Sequence, residues 1–168
     1  MGNLHMRLAA LLGLALLALP AAHAQGSPPT GLLDLQFSAA NKRSAMFFQR
    51  PSISWNGRTA QLWIFMAMPE GAGQLKGGWF HQTIDCSART IAGNDLWPVD
   101  QNFAVGPALA GTAKPAKQIT PNSMDESISK VVCDGATFHF DRTPATDLQT
   151  AWTQAQDVFK SLAKPATP

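Results

Sequence analysis

The two cysteines are the residues whose type and position most clearly indicate chemistry. Cys86 and Cys133 are the only cysteines in the 168-residue chain, and both follow a segment typical of an export signal. An exported protein meets an oxidising compartment, where an even number of cysteines indicates disulfide bonding. The alternative is a reactive or metal-binding thiol, but there is no Cys-x-x-Cys pair and no histidine at ligand spacing. The sequence therefore predicts one structural disulfide between them.

The histidines and carboxylates form no comparable pattern. His81 and Asp85 share one face of a predicted strand, but a rise of about 3.3 Å per residue separates them by about 13 Å. His139, beside Asp141, is a general-base candidate with no nucleophile next to it. The other aspartates lack the spacing of a calcium loop, and the glycine pairs lack the Lys-Ser/Thr of a phosphate loop. We therefore predict no catalytic residue, no metal site and no cofactor.

Residues 1–24 have the composition of a cleavable signal peptide. Arg7 precedes an apolar run over residues 8–19, which ends at Pro20. Small residues at the −3 and −1 positions favour cleavage before Gln25. An uncleaved anchor is the alternative, but the run of about 12 residues is shorter than the roughly 20 that a membrane span requires. We predict a soluble exported protein with no membrane span after cleavage.

The charge balance excludes one class of partner. The chain has 13 Lys and Arg against 11 Asp and Glu, and its formal net charge is +2. The basic residues are scattered along the chain, whereas nucleic-acid binding requires a concentrated basic face. We therefore expect no nucleic-acid partner.

The exported chain divides into an irregular lead over residues 25–44 and a main domain over residues 45–140. Within the lead, Leu32, Leu33, Leu35 and Phe37 form either a first short strand or an irregular start. Apolar alternation and turn signals predict extended segments in the domain. These lie around residues 46–48, 52–56, 59–66, 79–86, 89–96 and 137–140. Asn56-Gly57 predicts the turn of a hairpin. We predict a flexible connection over residues 69–78. We predict a long loop over residues 98–117, with a short extended piece around Phe103 and Val105.

Two helices are predicted after this loop. Ser123 and Glu126 fit a capping box, and the helix that they open runs to Cys133 and stops at Gly135. Thr143-Pro144 opens a second helix in the segment 141–164, because proline is favoured at the first helical position. Residues 165–168 form a loose tail.

The faces of the elements predict how they pack. In the strand over residues 59–66, Leu62, Ile64 and Met66 point one way while Trp63 and Phe65 point the other, which is typical of a central strand covered on both sides. The second helix carries one apolar stripe. The stripe consists of Leu148, Trp152, Ala155, Phe159 and Leu162. One alternative is that this stripe packs on the strand face that carries Trp63 and Phe65. The other is that Trp152 and Phe159 of the stripe, together with Trp63 and Phe65, form a surface for a protein partner or a homodimer.

Three stretches of this sequence resemble one known family. The first is the aromatic strand from Trp79 into Asp85-Cys86-Ser87-Ala88-Arg89-Thr90, and the second runs from Ile119 through Pro121, Ser123 and Glu126 to Val132-Cys133. The hairpin from Ser52 to Phe65 resembles the upstream part. Over roughly residues 47–133 the chain resembles the surface-adhesin protein E-like family of small exported bacterial proteins. Each motif is weak alone, but their order and spacing and the cysteine pair agree.

The resemblance implies an α+β fold: an antiparallel sheet of about five or six strands with one disulfide-tethered helix packed on it. The C-terminal helix lies outside the resemblance, and no lipid-anchor cysteine follows the signal. The best-known members adhere to host matrix proteins, whereas most have no established activity. We therefore expect a non-enzymatic binding or structural protein, adhesin-like, periplasmic or secreted in the bacterial cell envelope. The alternative is a small exported enzyme or enzyme inhibitor with a site near His81 and the 98–117 loop.

Overall fold

The computed structural model describes residues 26–136 and 142–164. The predicted signal peptide, the predicted strand at 137–140 with His139 and Asp141, and the predicted tail lie outside the described residues. Neither α-helix in the described ranges is long and apolar enough to cross a lipid bilayer.

The described residues form one antiparallel sheet of seven strands and two α-helices, besides a short 3-10 turn. In chain order these are β1 (Leu35–Ala40), β2 (Ala45–Gln49), β3 (Ser54–Asn56), β4 (Thr59–Ala67), β5 (Leu75–Asp85), β6 (Thr90–Asp100), β7 (Lys114–Gln118), α1 (Met124–Asp134) and α2 (Leu148–Ala163). The strands lie in the order β1-β2-β4-β5-β6-β7, and β3 pairs with β4. The predicted α+β class is confirmed.

Strand β1 decides between the two alternatives for residues 32–37, because the predicted lead over residues 25–44 contains a strand here rather than an irregular start. Leu35 and Phe37 are buried, and Phe37 pairs with Phe47 of β2. On the opposite edge, Leu35 and Ala145 exchange two backbone hydrogen bonds of 2.9 Å. The strand is therefore held between two partners, one of which comes from the far end of the chain. Local sequence carries little information about such a distant pairing.

The hairpin of β3 and β4 confirms the predicted hairpin, although its turn lies one residue later. Asn56 pairs with Thr59, so the two central turn residues are Gly57 and Arg58. Gly57 has a φ of 59°, and Arg58 is outside the left-handed region. Glycine is favoured at the first central position of a hairpin turn that needs positive φ only there.

Strand β5 starts earlier than predicted and takes in part of the segment assigned to a flexible connection. Gly77 and Gly78 are buried strand residues that pair with Ala67 and Met66 of β4. A Cβ atom at Gly77 would overlap the Met66 carbonyl oxygen, and one at Gly78 would overlap the Leu96 side chain. These glycines therefore serve close packing inside the sheet rather than chain flexibility.

The prediction of a loop over residues 98–117 is largely wrong, because much of this segment is paired in the sheet or along its edge. Strand β6 continues to Asp100, and β7 begins at Lys114. The residues between them return along the edge of β6 through isolated bridges of Val99 with Val105 and of Leu96 with Leu109. We call residues 101–113 the return segment. Its pairing with β6 explains why a stretch with so weak an apolar pattern is ordered, because backbone hydrogen bonds need no particular side chains.

Helix α1 covers one face of the sheet and begins with the predicted cap. The Ser123 hydroxyl accepts a hydrogen bond of 3.1 Å from the Glu126 backbone N–H. The Glu126 carboxylate reaches back to the N–H of Asn122, at 2.8 Å, one residue before the cap. Ile128 and Val132 pack against the β4 side chains on this face. Gly135 ends the helix with a φ of 64°.

Helix α2 covers the opposite face and begins later than predicted. Its cap is Asp147, whose carboxylate accepts from the Thr150 N–H at 2.7 Å. The helix cannot start at Pro144, because Ala145 is engaged in the bridge to Leu35. The helix face that lies nearest the sheet is lined by small side chains. These are Ala151, Ala155 and Val158.

Candidate functional site

The predicted disulfide between Cys86 and Cys133 is confirmed. The two Sγ atoms lie 2.01 Å apart and the Cα atoms 5.5 Å apart. Cys86 directly follows β5, and Cys133 lies in the last turn of α1. An ion pair of 3.1 Å between Arg89 and Asp134 crosses the same junction. Both contacts tie the end of α1 to the β5–β6 turn, so this pair of cysteines has a structural role.

The predicted interaction surface is not a free surface. Trp63 is 8% exposed and Phe65 is fully buried, and both belong to the core beneath α2. Trp152 and Phe159 are partly buried against that core. The Trp152 indole N–H donates to the Met68 carbonyl at 3.0 Å. Of the two arrangements that the apolar stripe allowed, the structure shows packing on the sheet, because the strand face and the helix cover each other.

His81 lies in an aromatic cluster on the α2 side of the sheet. Its ring centroid is 5.0 Å from that of Trp63, which in turn lies 5.0 Å from the ring of Trp97. The register of β5 with β6 shifts here, so that Asn94 and Asp95 together oppose His81. Such a β-bulge re-aims side chains. Here the Asn94 amide nitrogen lies 2.8 Å from His81 Nδ1.

The contacts of His81 favour the neutral imidazole. An amide N–H can only donate, so Nδ1 accepts and the ring proton is on Nε2. Burial lowers the pKa of His81 below its ordinary value, because desolvation penalises the charged ring. Its polar contact is an amide rather than the carboxylate that orients a general base in a catalytic triad. In the described ranges, no cluster of three or more His, Cys, Asp or Glu side chains could hold a metal ion.

The lowered pKa of His81 predicts a pH dependence of stability. In the unfolded chain His81 takes up a proton near its ordinary pKa of about 6.5, whereas the folded chain resists protonation. We expect the free energy of unfolding to fall as the pH is lowered from about 7 to about 5. Urea unfolding at several pH values should show this fall for the wild type and a weaker one for His81→Gln. Parallel pH profiles of the two proteins would contradict the assignment.

An exposed apolar surface lies beside this cluster, and the sequence analysis did not identify it. We call it the lead–loop surface: residues 27–33, before β1, together with residues 102–107 of the return segment. Leu32 is 86% exposed and Val105 is 41% exposed. Thr30 and Val105 both line two neighbouring clefts of about 340 and 380 Å³.

The two clefts have different walls. Trp97 lines the first, and Phe103 and Leu148 line the second. The sequence carried little signal for this surface, because Leu32 lies in a bend before β1 and not in a strand, where alternation would apply. Leu33 is buried, whereas Leu32 faces outward.

The fold and the bridge together define a class: an antiparallel sheet with one helix on each face, and with the first helix disulfide-bonded to the sheet. No protein-family model matches the chain, and no curated protein sequence matches it. Three solved structures match, all of Haemophilus influenzae protein E. Its crystal form II has a TM-score of 0.50 at 11% identity and covers 65% of this chain and 94% of that chain.

The other two structures of that protein match less closely. The Se-Met form gives a TM-score of 0.45 at 12% identity, covering 64% of this chain and 99% of that chain. Protein E from non-typeable Haemophilus influenzae gives 0.45 at 9% identity, covering 77% of this chain and 99% of that chain. The match with crystal form II shows that this chain has a protein E-like fold.

Proposed function

We propose that this chain is an exported protein of the bacterial cell envelope that binds a protein partner and catalyses no reaction. The observation that carries the proposal is the lead–loop surface. Helices cover both faces of the sheet, and yet Val105, which lines both clefts, and Leu32, which follows the cleft residues Thr30 and Gly31 in the chain, stay exposed. Contiguous exposed apolar patches on a protein surface mark interaction sites.

The compartment in this proposal follows from three features. Residues 1–24 have the pattern of a cleavable export signal. The Cys86–Cys133 bridge fits an oxidising compartment. The protein E-like fold agrees with the sequence resemblance to a family whose best-known members are adhesins. Periplasmic or secreted localisation and an adhesin-like role are consistent with all three.

Contacts at His81 favour this proposal over an exported enzyme. The imidazole is bonded to the Asn94 amide and lies against the Trp63 ring. Neither neighbour is a nucleophile or a carboxylate, so a general base here would act without an orienting partner. An inhibitor of an enzyme would also use an exposed surface, and it counts as a binding protein in the experiment below.

The experiment measures binding by the protein of residues 25–168 with its disulfide formed. Extracellular-matrix glycoproteins and separated bacterial envelope proteins are presented one at a time to the immobilised wild type in biolayer interferometry. We expect saturable binding to at least one of them. The double variant Leu32→Ser with Val105→Ser should bind at least 10-fold more weakly, because truncating central apolar contacts typically costs about 1–2 kcal/mol each.

The matched control is Trp55→Ser, which removes an apolar side chain that is 52% exposed on the β3–β4 hairpin. Its affinity should equal that of the wild type. Light scattering on the same samples tests for a homodimer, and a dimer lost only in the double variant would make the partner a second copy. Equal affinity of the double variant and the wild type would exclude the lead–loop surface as the binding site. The absence of saturable binding and of a dimer would count against a binding function.

A further inference from the structure

We propose that a cleft on the α1 side of the sheet binds a small aromatic carboxylate that carries an N–H donor. This cleft lies on the opposite face from the lead–loop surface, and the proposal goes beyond the protein-binding function above. We call it the α1-side cleft. It has a volume of about 160 Å³ and lies where β5, β6 and β7 meet the first turn of α1.

The floor of the α1-side cleft is apolar. Ile64 and Ile84 are fully buried in the core on the α1 side, whereas Met66 and Phe80 are only partly buried. Met66 and Phe80 line the cleft together with Ile91. An apolar cavity of about 150 Å³ is large enough to hold benzene, so a phenyl group matches this floor in size. Thioether contacts with aromatic rings are also favourable, which suits Met66.

A missing side chain opens the cleft. Gly93 of β6 is the cross-strand neighbour of Gln82 and lines the cleft. A Cβ atom built at Gly93 would meet only Lys114 Cβ, at 3.9 Å. This is unlike Gly77 and Gly78, where an added Cβ would overlap other atoms. Gly93 therefore leaves space that packing within the sheet does not require.

One buried polar atom in the cleft has no partner in the protein. The side-chain oxygen Oε1 of Gln82 is buried without a hydrogen-bond partner among the described residues. A buried acceptor without a donor is unfavourable, and native structures rarely leave one. Gln82 lines the cleft, and a ligand N–H could supply the donor once the side-chain amide turns so that Oε1 faces the cleft.

The charges at the rim select an anion. Lys114, Lys117 and Asp125 are the charged residues that line the cleft. Lys117 is paired with Asp125 at 2.8 Å. Lys114 has no ion pair among the described residues, so the rim carries one uncompensated positive charge. A carboxylate is the complement of that ammonium group.

These features together indicate the chemistry of an N-acylated aromatic amino acid. Its ring would lie on the Met66 and Phe80 floor, its N–H would donate to Gln82, and its carboxylate would pair with Lys114. The same group occurs free and as the carboxyl-terminal residue of a peptide. The experiment therefore uses N-acetyl-L-phenylalanine as one probe and a five-residue peptide ending in phenylalanine as another.

Isothermal titration calorimetry tests the proposal by measuring the Kd of each probe for the disulfide-bonded protein of residues 25–168. We expect N-acetyl-L-phenylalanine to bind with a Kd of about 0.5 mM, as expected for roughly 15 non-hydrogen atoms at drug-like efficiency. Its neutral amide should bind at least 10-fold more weakly. Tighter binding of the peptide than of the free acid would identify a peptide terminus as the source, and equal or weaker binding would identify the free acid.

Three variants make the result specific to the cleft. In Lys114→Met the acid and the amide should bind equally weakly, because the discriminating charge is gone. Gly93→Val should abolish binding at an unchanged unfolding midpoint, and Gly93→Ala serves if the valine variant does not fold. Lys130→Met, on α1 away from the cleft, is the matched control and should bind like the wild type. Equal affinity for acid and amide in the wild type, or the same loss in Lys114→Met and Lys130→Met, would overturn the proposal.

Discussion

Replacing Cys86 and Cys133 together with alanine is expected to lower the free energy of unfolding by about 4 kcal/mol. The bridge joins residues 47 positions apart. Cross-linking such a loop removes conformational freedom from the unfolded chain, and the chain-entropy model gives about 4 kcal/mol for this length. Urea unfolding of the variant and the wild type measures this difference in free energy. In thermal unfolding, the midpoint temperature should fall by roughly 10–15 °C.

The oxidised wild type supplies the control for this prediction. Unfolded without reductant, it should contain no thiol that reacts with a labelling reagent, because both cysteines are bonded. Reduction of the wild type should reproduce the loss of stability seen in the double alanine variant. Two reactive thiols, or a loss below about 1 kcal/mol, would contradict a bridge that limits the unfolded chain.

Phe65→Ala is expected to destabilise the protein by about 3–5 kcal/mol. Phe65 is fully buried, and its ring centroid lies 5.7 Å from that of Trp79 and 6.4 Å from that of Phe47. One edge of the ring also rests on Gly77, and pairing of Gly77 with Ala67 and Val99 on either side holds the β5 backbone in place beside the gap. The cavity should therefore stay open, which places the loss toward the upper end of the range.

Trp55→Ala is the matched control, because Trp55 is an exposed aromatic residue of the neighbouring strand. Trp55→Ala should lower the free energy of unfolding by no more than about 0.5 kcal/mol, as is usual for surface positions. Urea unfolding of both variants gives the comparison. Similar losses for Phe65→Ala and Trp55→Ala would show that Phe65 lies outside the core, and would return it to the candidate interaction residues.

The two proposed binding sites can be tested separately because the sheet lies between them. The lead–loop surface adjoins Trp97, which belongs to the core on the α2 side. The α1-side cleft is lined by Ile91, which belongs to the core on the α1 side. Substitutions at Leu32 and Val105 should leave the small-molecule affinity unchanged, and Lys114→Met should leave protein binding unchanged.

Local patterns in the sequence were sufficient where the structure depends on neighbouring residues. The alternation through Leu62, Trp63, Ile64 and Phe65 predicted a strand covered on both faces, because successive side chains in a strand point to opposite sides. The capping box at Ser123 predicted the start of α1, because a cap involves only residues within one turn. The compartment argument predicted the disulfide without any geometry.

Prediction was less successful where a segment is held by a partner far away in the chain. Strand β1 and the late start of α2 both depend on the bridge between Leu35 and Ala145. The order of the return segment depends on backbone pairing with β6, to which its side chains give little clue. Pro144 is a good first residue of a helix in isolation, but the tertiary pairing overrides that preference.

The sequence by itself predicted the disulfide from compartment and cysteine number, and individual strands and the two helices from spacing over a few residues. The antiparallel sheet with a tethered helix was implied by the family resemblance. The tertiary structure alone decided which apolar side chains are free. It buried Trp63 and Phe65 beneath α2, left Leu32 and Val105 exposed, and opened a cleft at Gly93 beside Gln82 and Lys114. The physical reason is that exposure is a property of what packs against a residue, and those neighbours come from distant parts of the chain.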